Sequence, residues 1–258
     1  MKELNLEERK NIQMEMLQEI DIFCKRNDIH YSLAFGTLLG AIRHKGFIPW
    51  DDDVDIMMPI ADMKRFKELF VSDKLKYCDV DTEPHFEYAF SRIANRSTYN
   101  KMGKYKSYGI CIDLYPIIPI PSDLNEQEKF FANAQKYQET RLRFKQLRRR
   151  VLKYLPIPTI PGHDRAIRRY RDYMLDVDSY VSSGKYYIIA GPLSLRNKMT
   201  YDLDLFAETI NIKFENREFS AIANYDYYLK LRYGNYMQFP PEQERHPYHG
   251  GHYYWKEK

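Results

Sequence analysis

Between residues 51 and 55 the chain carries four aspartates and a valine, and it then runs directly into Ile56-Met57-Met58. Carboxylates set this close repel one another, so packing Asp51, Asp52, Asp53 and Asp55 together calls for a cation. The apolar run behind them demands a core. In a strand, alternate residues share a face and lie about 6.6 Å apart along the chain. Val54 and Ile56 then point inward, and Asp53 and Asp55 point outward side by side. Two carboxylates at the edge of a buried strand form a hard-oxygen site for Mg²⁺ or Mn²⁺, which keeps its other positions for water and phosphate. The alternative is a solvated acidic turn that precedes a strand.

A third carboxylate bears on that choice. In Gly109-Ile-Cys-Ile-Asp-Leu-Tyr-Pro116, Ile110, Ile112 and Leu114 take one face of a strand, and Asp113 takes the other with Cys111 and Tyr115. An ionised carboxylate in an apolar strand needs a partner. A metal shared with Asp53 and Asp55 would serve, and so would a salt bridge to an arginine such as Arg92.

The rest of the chain supplies the frame. Apolar residues Ile12, Met16, Leu17, Ile20, Phe23 and Cys24 recur at helical spacing within 6–28. Tyr31 to Phe35 reads as a strand that meets Gly36-Thr37 and then a helical Leu38-Leu39-Gly40-Ala41-Ile42, placing backbone N–H groups at a helix start. Residues 61–70 read as a helix with Met63, Phe66, Leu69 and Phe70 on its face. Phe86 to Ile93 and Tyr108 to Ile118 read as strands, ended by Pro116, Pro119 and Pro121. Asn125-Glu-Gln-Glu128 resembles a capping box that opens a long helix to about Leu155. Pro156, Pro158 and Pro161 end it, and a further helix follows over about 164–180. Residues 209–222 read as a hairpin, and Asn224 caps a last helix that ends at Gly234.

Composition excludes several classes. The chain has 258 residues, 44% of them hydrophobic and 29% charged, with a net charge of +4. That is ordinary for a globular protein, and no motif points to nucleic acid. Three cysteines without a Cys-x-x-Cys pair fit a reducing cytosol. The charged N-terminus lacks the apolar stretch of a signal peptide, and no apolar run is long enough to span a bilayer. The 23 tyrosines and 14 phenylalanines suit contact with sugars or nucleotides, and equally a Tyr-rich core.

The run from Phe35 to Ile56, with Gly36-Thr37 near its start and Trp50-Asp-Asp-Asp-Val-Asp at its end, resembles the signature of the LicD family. These are bacterial phosphocholine transferases, related to the fukutin proteins, within the nucleotidyltransferase superfamily. The similarity continues in Asp113-Leu-Tyr-Pro and returns in Leu229-Lys-Leu-Arg-Tyr-Gly-Asn-Tyr-Met237, Pro240-Pro241 and Arg245-His246. Residues 122–205 carry no match. The superfamily's usual Gly-Ser stands here as Gly-Thr.

The resemblance implies an α/β (α+β) fold: a nucleotidyltransferase-like mixed sheet flanked by helices, in a single domain over 1–258. The catalytic core covers about 29–120, a mostly helical segment about 122–182, and a C-terminal hairpin and helix about 205–258. It implies an enzyme, a phosphotransferase that moves phosphocholine from CDP-choline to a sugar hydroxyl of a cell-surface glycan or its lipid-linked precursor and releases CMP. Transfer of glycerol-phosphate or ribitol-phosphate from the corresponding CDP-alcohol, or a metal-dependent phosphodiesterase, is the alternative. On that reading Asp53, Asp55 and Asp113 are catalytic and hold Mg²⁺ or Mn²⁺. Gly36 and Thr37 face the donor phosphates, and Arg43, His44, Lys45, Arg92, Asp51 and His246 are substrate-binding candidates. Asp52 points away.

Residues 141–153 hold Arg141, Arg143, Lys145, Arg148, Arg149, Arg150 and Lys153 with no acid among them, above Phe144, Leu147, Val151 and Leu155. A basic amphipathic helix fits peripheral contact with the inner face of the cell membrane, and equally a solvated face packed on the domain. The expected location is cytoplasmic.

Overall fold

The computed structural model describes residues 2–83, 86–102, 105–152, 162–190, 192–202, 204–246 and 251–256. The chain opens with α1 (Leu6–Arg26), β1 (Ser32–Leu33), α2 (Phe35–Arg43), β2 (Asp55–Pro59), α3 (Ile60–Leu69) and β3 (Leu75–Cys78). It continues with β4 (Ser91–Asn95), β5 (Thr98–Met102), β6 (Tyr105–Tyr108), β7 (Cys111–Pro119), α4 (Leu124–Leu152) and α5 (His163–Leu175). Last come β8 (Tyr186–Ile188), β9 (Thr200–Tyr201), β10 (Thr209–Phe214), β11 (Arg217–Ile222), α6 (Tyr225–Tyr233) and β12 (Tyr253–Trp255). Helices and a mixed sheet make the α/β class that the sequence leads one to expect.

The chain divides into two compact units. The first holds Met1–Tyr77, Arg92–Tyr115 and Leu205–Lys258. Its strands run in the order β1-β2-β7-β4-β3. β1 and β2 are antiparallel, with Leu33 opposite Ile56, and the Asp113 N–H donates to the Val54 carbonyl at 3.0 Å. Val54, Ile56, Met57 and Met58 are buried, which is why the acidic run ends where it does. α1 closes one side: Met16, Leu17, Ile20 and Cys24 are buried at helical spacing. Asn5 and Glu8 form a capping box at its start, with bonds of 2.8 and 2.9 Å. The β10–β11 hairpin attaches to β1, where the Ile222 N–H donates to Ser32 Oγ at 3.0 Å. A separate three-stranded sheet runs β12-β5-β6. There the N-terminal segment meets the C-terminal one: Glu3 bridges Tyr254, and the Leu4 N–H donates to the Tyr253 carbonyl.

The second unit holds Cys78–Ser91 and Pro116–Asp204. The far half of β7 pairs with β8, and β8 with β9. α4 packs on α5 through Gln138, which donates to Tyr170 Oη at 3.3 Å, and through the stacked rings of Phe130 and Tyr173. Part of the basic stretch on α4 is engaged within this unit. Arg141 donates to the Glu87 carbonyl at 2.8 Å, and Lys145 lies 2.9 Å from Glu87 Oε2. Arg143 and Arg150 are exposed, and so is Leu147, which does not lie beneath them as its spacing implies. Lys153, Leu155, Pro156, Pro158 and Pro161 lie outside the described residues.

Several boundaries depart from the sequence reading. The strand expected from Phe86 begins at Ser91, and the one expected from Tyr108 begins at Cys111. Pro116 lies inside β7 rather than ending it; its carbonyl accepts from the Ile189 N–H at 3.0 Å. The cap of α4 is Asp123, which accepts from the Glu126 N–H at 2.9 Å, two residues ahead of the expected Asn125. Asn224 stands at the start of α6 but makes no side-chain capping bond. α5 ends at Leu175, short of Tyr180, and Leu69 on α3 is exposed.

Gly40 is fixed by packing. A Cβ there would meet the Gly46 carbonyl oxygen at 2.4 Å, where the chain leaving α2 folds back over the helix. That loop delivers the acidic run, so Gly40→Ala should shift both. Overpacking against backbone costs about 1–3 kcal/mol; the variant should melt measurably lower, and an unchanged melting temperature would show that the loop gives way freely.

Candidate functional site

The site begins with a strained turn. Ala34 is extended, Phe35 has φ +43°, and α2 starts there. A bulky residue in the left-handed region is costly and persists only where its surroundings hold it. The Phe35 N–H donates to Tyr228 Oη at 3.1 Å, and the Phe35 ring meets the Tyr115 ring edge-on at 5.0 Å. Gly36 and Thr37 follow in the first helical turn, whose N–H groups no helical carbonyl can reach. Gly36 makes room for a carboxylate: a Cβ there would sit 2.5 Å from Asp51 Oδ2. Thr37 is buried, and its Oγ1 accepts the Asp55 N–H at 2.8 Å. The Gly-Thr turn is thus tied directly to the acidic run.

Four carboxylates gather around that turn. Asp55 and Asp113 are both 7% exposed. Burial, then the charge of Asp53, pushes the Asp51 carboxyl up to about 7. Burial, then Asp53, Asp113 and Asp51, holds Asp55 well above the usual carboxylate range. Asp113 is also raised by burial and then by Asp53, and Arg92 works against both. Asp53 is the carboxylate whose charge weighs most on each of the other three. It is also within hydrogen-bonding reach of Asp51. Asp53 precedes β2, and Asp55 is its first residue.

Asp113 has the arginine partner that was the alternative to a metal. Arg92 Nε lies 2.6 Å from Asp113 Oδ1, and Nη2 donates to Oδ2 at 2.9 Å. The Tyr115 hydroxyl, on the same face of β7, donates to Oδ2 at 3.2 Å. Its phenol is pushed up by burial and by Asp55 and Asp113. Asp52 is buried and is engaged by α1. It lies 3.4 Å from Arg9 Nη1, and its carbonyl accepts from Gln13 at 3.3 Å. One turn of α1 therefore clamps the acidic run from behind.

The residues fit a divalent ion of the Mg²⁺ kind. Asp55 Oδ1 is buried with no hydrogen-bond partner, an oxygen stripped of water and given nothing in return. Asp53 lies close by, and its charge acts on both Asp55 and Asp51. Among the described residues no three His, Cys, Asp or Glu side chains form a complete protein cage. Mg²⁺ seldom uses one, taking one or two carboxylates and filling the rest with water and substrate phosphate.

The expected basic residues are differently placed. Arg43 donates to the carbonyls of Tyr236 and Gln238 at 2.9 and 3.1 Å and stacks over Phe239. His44 packs edge-on against Trp50 and Phe239, and burial and Arg43 lower its pKa. Lys45 is exposed at φ +63°, and its carbonyl accepts from the Glu215 N–H. Arg92 joins the acidic group through Asp113. His246 is exposed, and His249 lies outside the described residues. Tyr115, Tyr228, Arg232 and Tyr233 were not singled out from the sequence. Enclosure and the charges of Asp55 and Asp51 raise the Tyr233 phenol, against the pull of Arg232, although the residue is 39% exposed. The i, i+4 spacing of Tyr228 and Arg232 on a short helix is the signal that was available.

Comparison with known proteins points the same way. The family profile for the LicD/FKTN/FKRP nucleotidyltransferase domain matches residues 28–159. The lipopolysaccharide cholinephosphotransferase LicD of Haemophilus influenzae is 26% identical over 266 residues, covering 96% of this chain and 97% of that protein. An uncharacterized protein of Rickettsia typhi is 28% identical over 44% of this chain and 31% of its own length. One of Rickettsia prowazekii is 28% identical over 39% of this chain and 31% of its own length.

The raised carboxyls have a signed consequence. A carboxyl whose folded pKa lies above its unfolded 3.8 stabilises the fold fully below that value and loses the contribution as pH rises through the folded value, about 7 for Asp51. Without divalent ions the melting temperature should fall from pH 6 to pH 8, and fall less in Asp51→Asn. Mg²⁺ should raise it more at pH 8 than at pH 6. The same response in an Asp53→Asn, Asp55→Asn double variant would place the ion elsewhere.

Proposed function

Because the chain belongs to the LicD/FKTN/FKRP nucleotidyltransferase-domain family, we propose that it is a phosphotransferase moving phosphocholine from CDP-choline to a sugar hydroxyl. The acceptor is a lipopolysaccharide-type glycan or its lipid-linked precursor, and CMP is released. The relative named for lipopolysaccharide cholinephosphotransfer, matched along nearly its whole length, supports the transferred group and the acceptor class. The observation that carries the chemistry is the packing of Asp51, Asp53, Asp55 and Asp113 against the first turn of α2, with one oxygen of Asp55 left without a partner.

In this reading Asp53 and Asp55 hold Mg²⁺ or Mn²⁺. When bound, such an ion would neutralise charge on the transferred phosphoryl group and on the departing CMP. The backbone N–H groups of Gly36 and Thr37 receive non-bridging phosphate oxygens at the positive end of α2. The acceptor hydroxyl oxygen forms a new bond to the choline-bearing phosphorus as the bond from that phosphorus to the bridging oxygen of CMP breaks. The hydroxyl proton has a carboxylate acceptor in Asp51 or Asp113. Arg92 and Tyr115 hold Asp113 in place, and Arg9 and Gln13 hold the backbone of the acidic run.

The exposed face of α4 supports peripheral contact with an anionic membrane surface. On α4, Arg143, Leu147 and Arg150 are exposed at helical spacing, and Leu142 is 38% exposed beside them. No described helix is long and apolar enough to cross a membrane. None of Cys24, Cys78 and Cys111 forms a disulfide, in keeping with a reducing compartment.

Asp53→Asn and Asp55→Asn should each lower turnover by at least about 100-fold while leaving the fold intact. Titration with CDP-choline, CDP-glycerol and CDP-ribitol, with and without Mg²⁺, should give metal-dependent binding of CDP-choline. Binding of another CDP-alcohol would change the donor, and CMP release without a sugar acceptor would indicate a phosphodiesterase. Vesicles containing anionic lipid should pellet the wild type and leave an Arg143→Glu, Arg150→Glu variant in the supernatant; equal pelleting would remove the membrane contact.

A further inference from the structure

The acidic site has to bind an anionic donor, and the three cations that the sequence offered for that task are occupied or turned aside. Arg43 is spent on two backbone carbonyls. Arg92 is held by Asp113. Lys45 is exposed at the far end of α2 from the Gly36-Thr37 turn.

Arg232 is different. It lies on α6 one turn beyond Tyr228, so both side chains leave the same face of that helix. That face meets Phe35: Tyr228 takes the Phe35 N–H, and the Arg232 guanidinium lies over the Phe35 ring, 5.3 Å from its centroid. It also lies 5.7 Å from the Tyr233 ring centroid. Phe35 is the first residue of α2, the residue before Gly36. Arg232 shares a side-chain hydrogen bond with the Tyr233 hydroxyl, on which the charges of Asp55 and Asp51 also act, while its Nε is buried with no hydrogen-bond partner and no carboxylate among the described residues forms a salt bridge with it. A guanidinium has five N–H donors, so one held by two aromatic rings and a tyrosine hydroxyl still has N–H groups to spare for charge-assisted pairing with phosphate oxygens.

We propose that Arg232 is the donor-binding residue that pairs with the phosphate oxygens seated on the first turn of α2. The inference rests on the phosphotransfer reading above. It assigns the phosphate contact to α6 instead of the Arg43-His44-Lys45 segment. Tyr228 then has a positioning role: it fixes Phe35 in its strained conformation and so sets the first turn of α2 beneath Arg232.

The test uses the full chain with Mg²⁺ and two probes, inorganic pyrophosphate and CDP-choline, followed by calorimetry and by turnover. Arg232→Ala should bind both probes about 10- to 100-fold more weakly, as loss of a charge-assisted pair implies, and should keep the wild-type melting temperature. Arg232→Lys should recover part of the affinity, and added guanidinium should restore part of the turnover of Arg232→Ala. Unchanged pyrophosphate affinity in Arg232→Ala would overturn the assignment while leaving phosphotransfer intact. Lost affinity together with a lowered melting temperature and no guanidinium rescue would overturn it too, making Arg232 a packing residue. If the wild type bound pyrophosphate but not CDP-choline, the donor reading would fall and the phosphate contact would stand. If it bound neither probe, both would fall.

Discussion

Carboxylates drawn together out of water repel one another, and the first unit of this protein is arranged around that repulsion. Asp51, Asp53, Asp55 and Asp113 come from two strands and the segment that leads into one of them. Asp51, Asp55 and Asp113 are each placed by a different contact. Gly36 lets Asp51 approach a helix start, Thr37 takes the Asp55 N–H, and Arg92 and Tyr115 grip Asp113. Arg9 and Gln13 draw Asp52 the other way. Such an arrangement stores electrostatic energy in the resting protein, which a ligand of opposite charge releases on binding. Crowding that would be a defect in a structural protein is, on the proposed reading, what a bound cation would relieve.

The same economy governs the backbone. Phe35 sits in a conformation that favours glycine, and two aromatic neighbours, the Arg232 guanidinium and a hydrogen bond hold it there. The reward is a helix start that faces the acidic group across one short turn. Its supports come from residues far away in the chain, Tyr115 on β7 and Tyr228 on α6. The tyrosine-rich composition thus has two uses that a count cannot separate: Tyr31 and Tyr228 are fully packed, and their hydroxyls still pair with Asp21 and the Phe35 N–H.

What was legible in the sequence follows from how local each signal is. α1, the β10–β11 hairpin and α6 are set by spacing and turn chemistry within a few residues, and their limits are close to those expected. The alternation around Asp113 and the acidic run before β2 are local as well, and they led to the carboxylates that meet in space. β3, β5, β6 and β12 are too short for a periodicity to announce them, and β12 is paired with β5 from far along the chain. Pro116 misled because proline usually ends a strand, yet a single missing N–H is tolerated where its carbonyl is still paired. Among the site residues, the basic trio was chosen for nearness in sequence to the aspartates. The fold lays the Arg232 guanidinium of α6 over Phe35 at the start of α2, a long-range contact that no local pattern records.

Strand β12 has a different kind of consequence. Its three residues lie along β5, Glu3 bridges its outer side, and Arg9 stacks on Tyr253 at 5.4 Å. Without it, β5 would present a bare row of amides, the surface on which chains recruit one another into aggregates. The last segment therefore acts as a gatekeeper of colloidal behaviour. A tag or trimming that peeled it back would show itself first as self-association at high concentration, with the acidic centre still assembled.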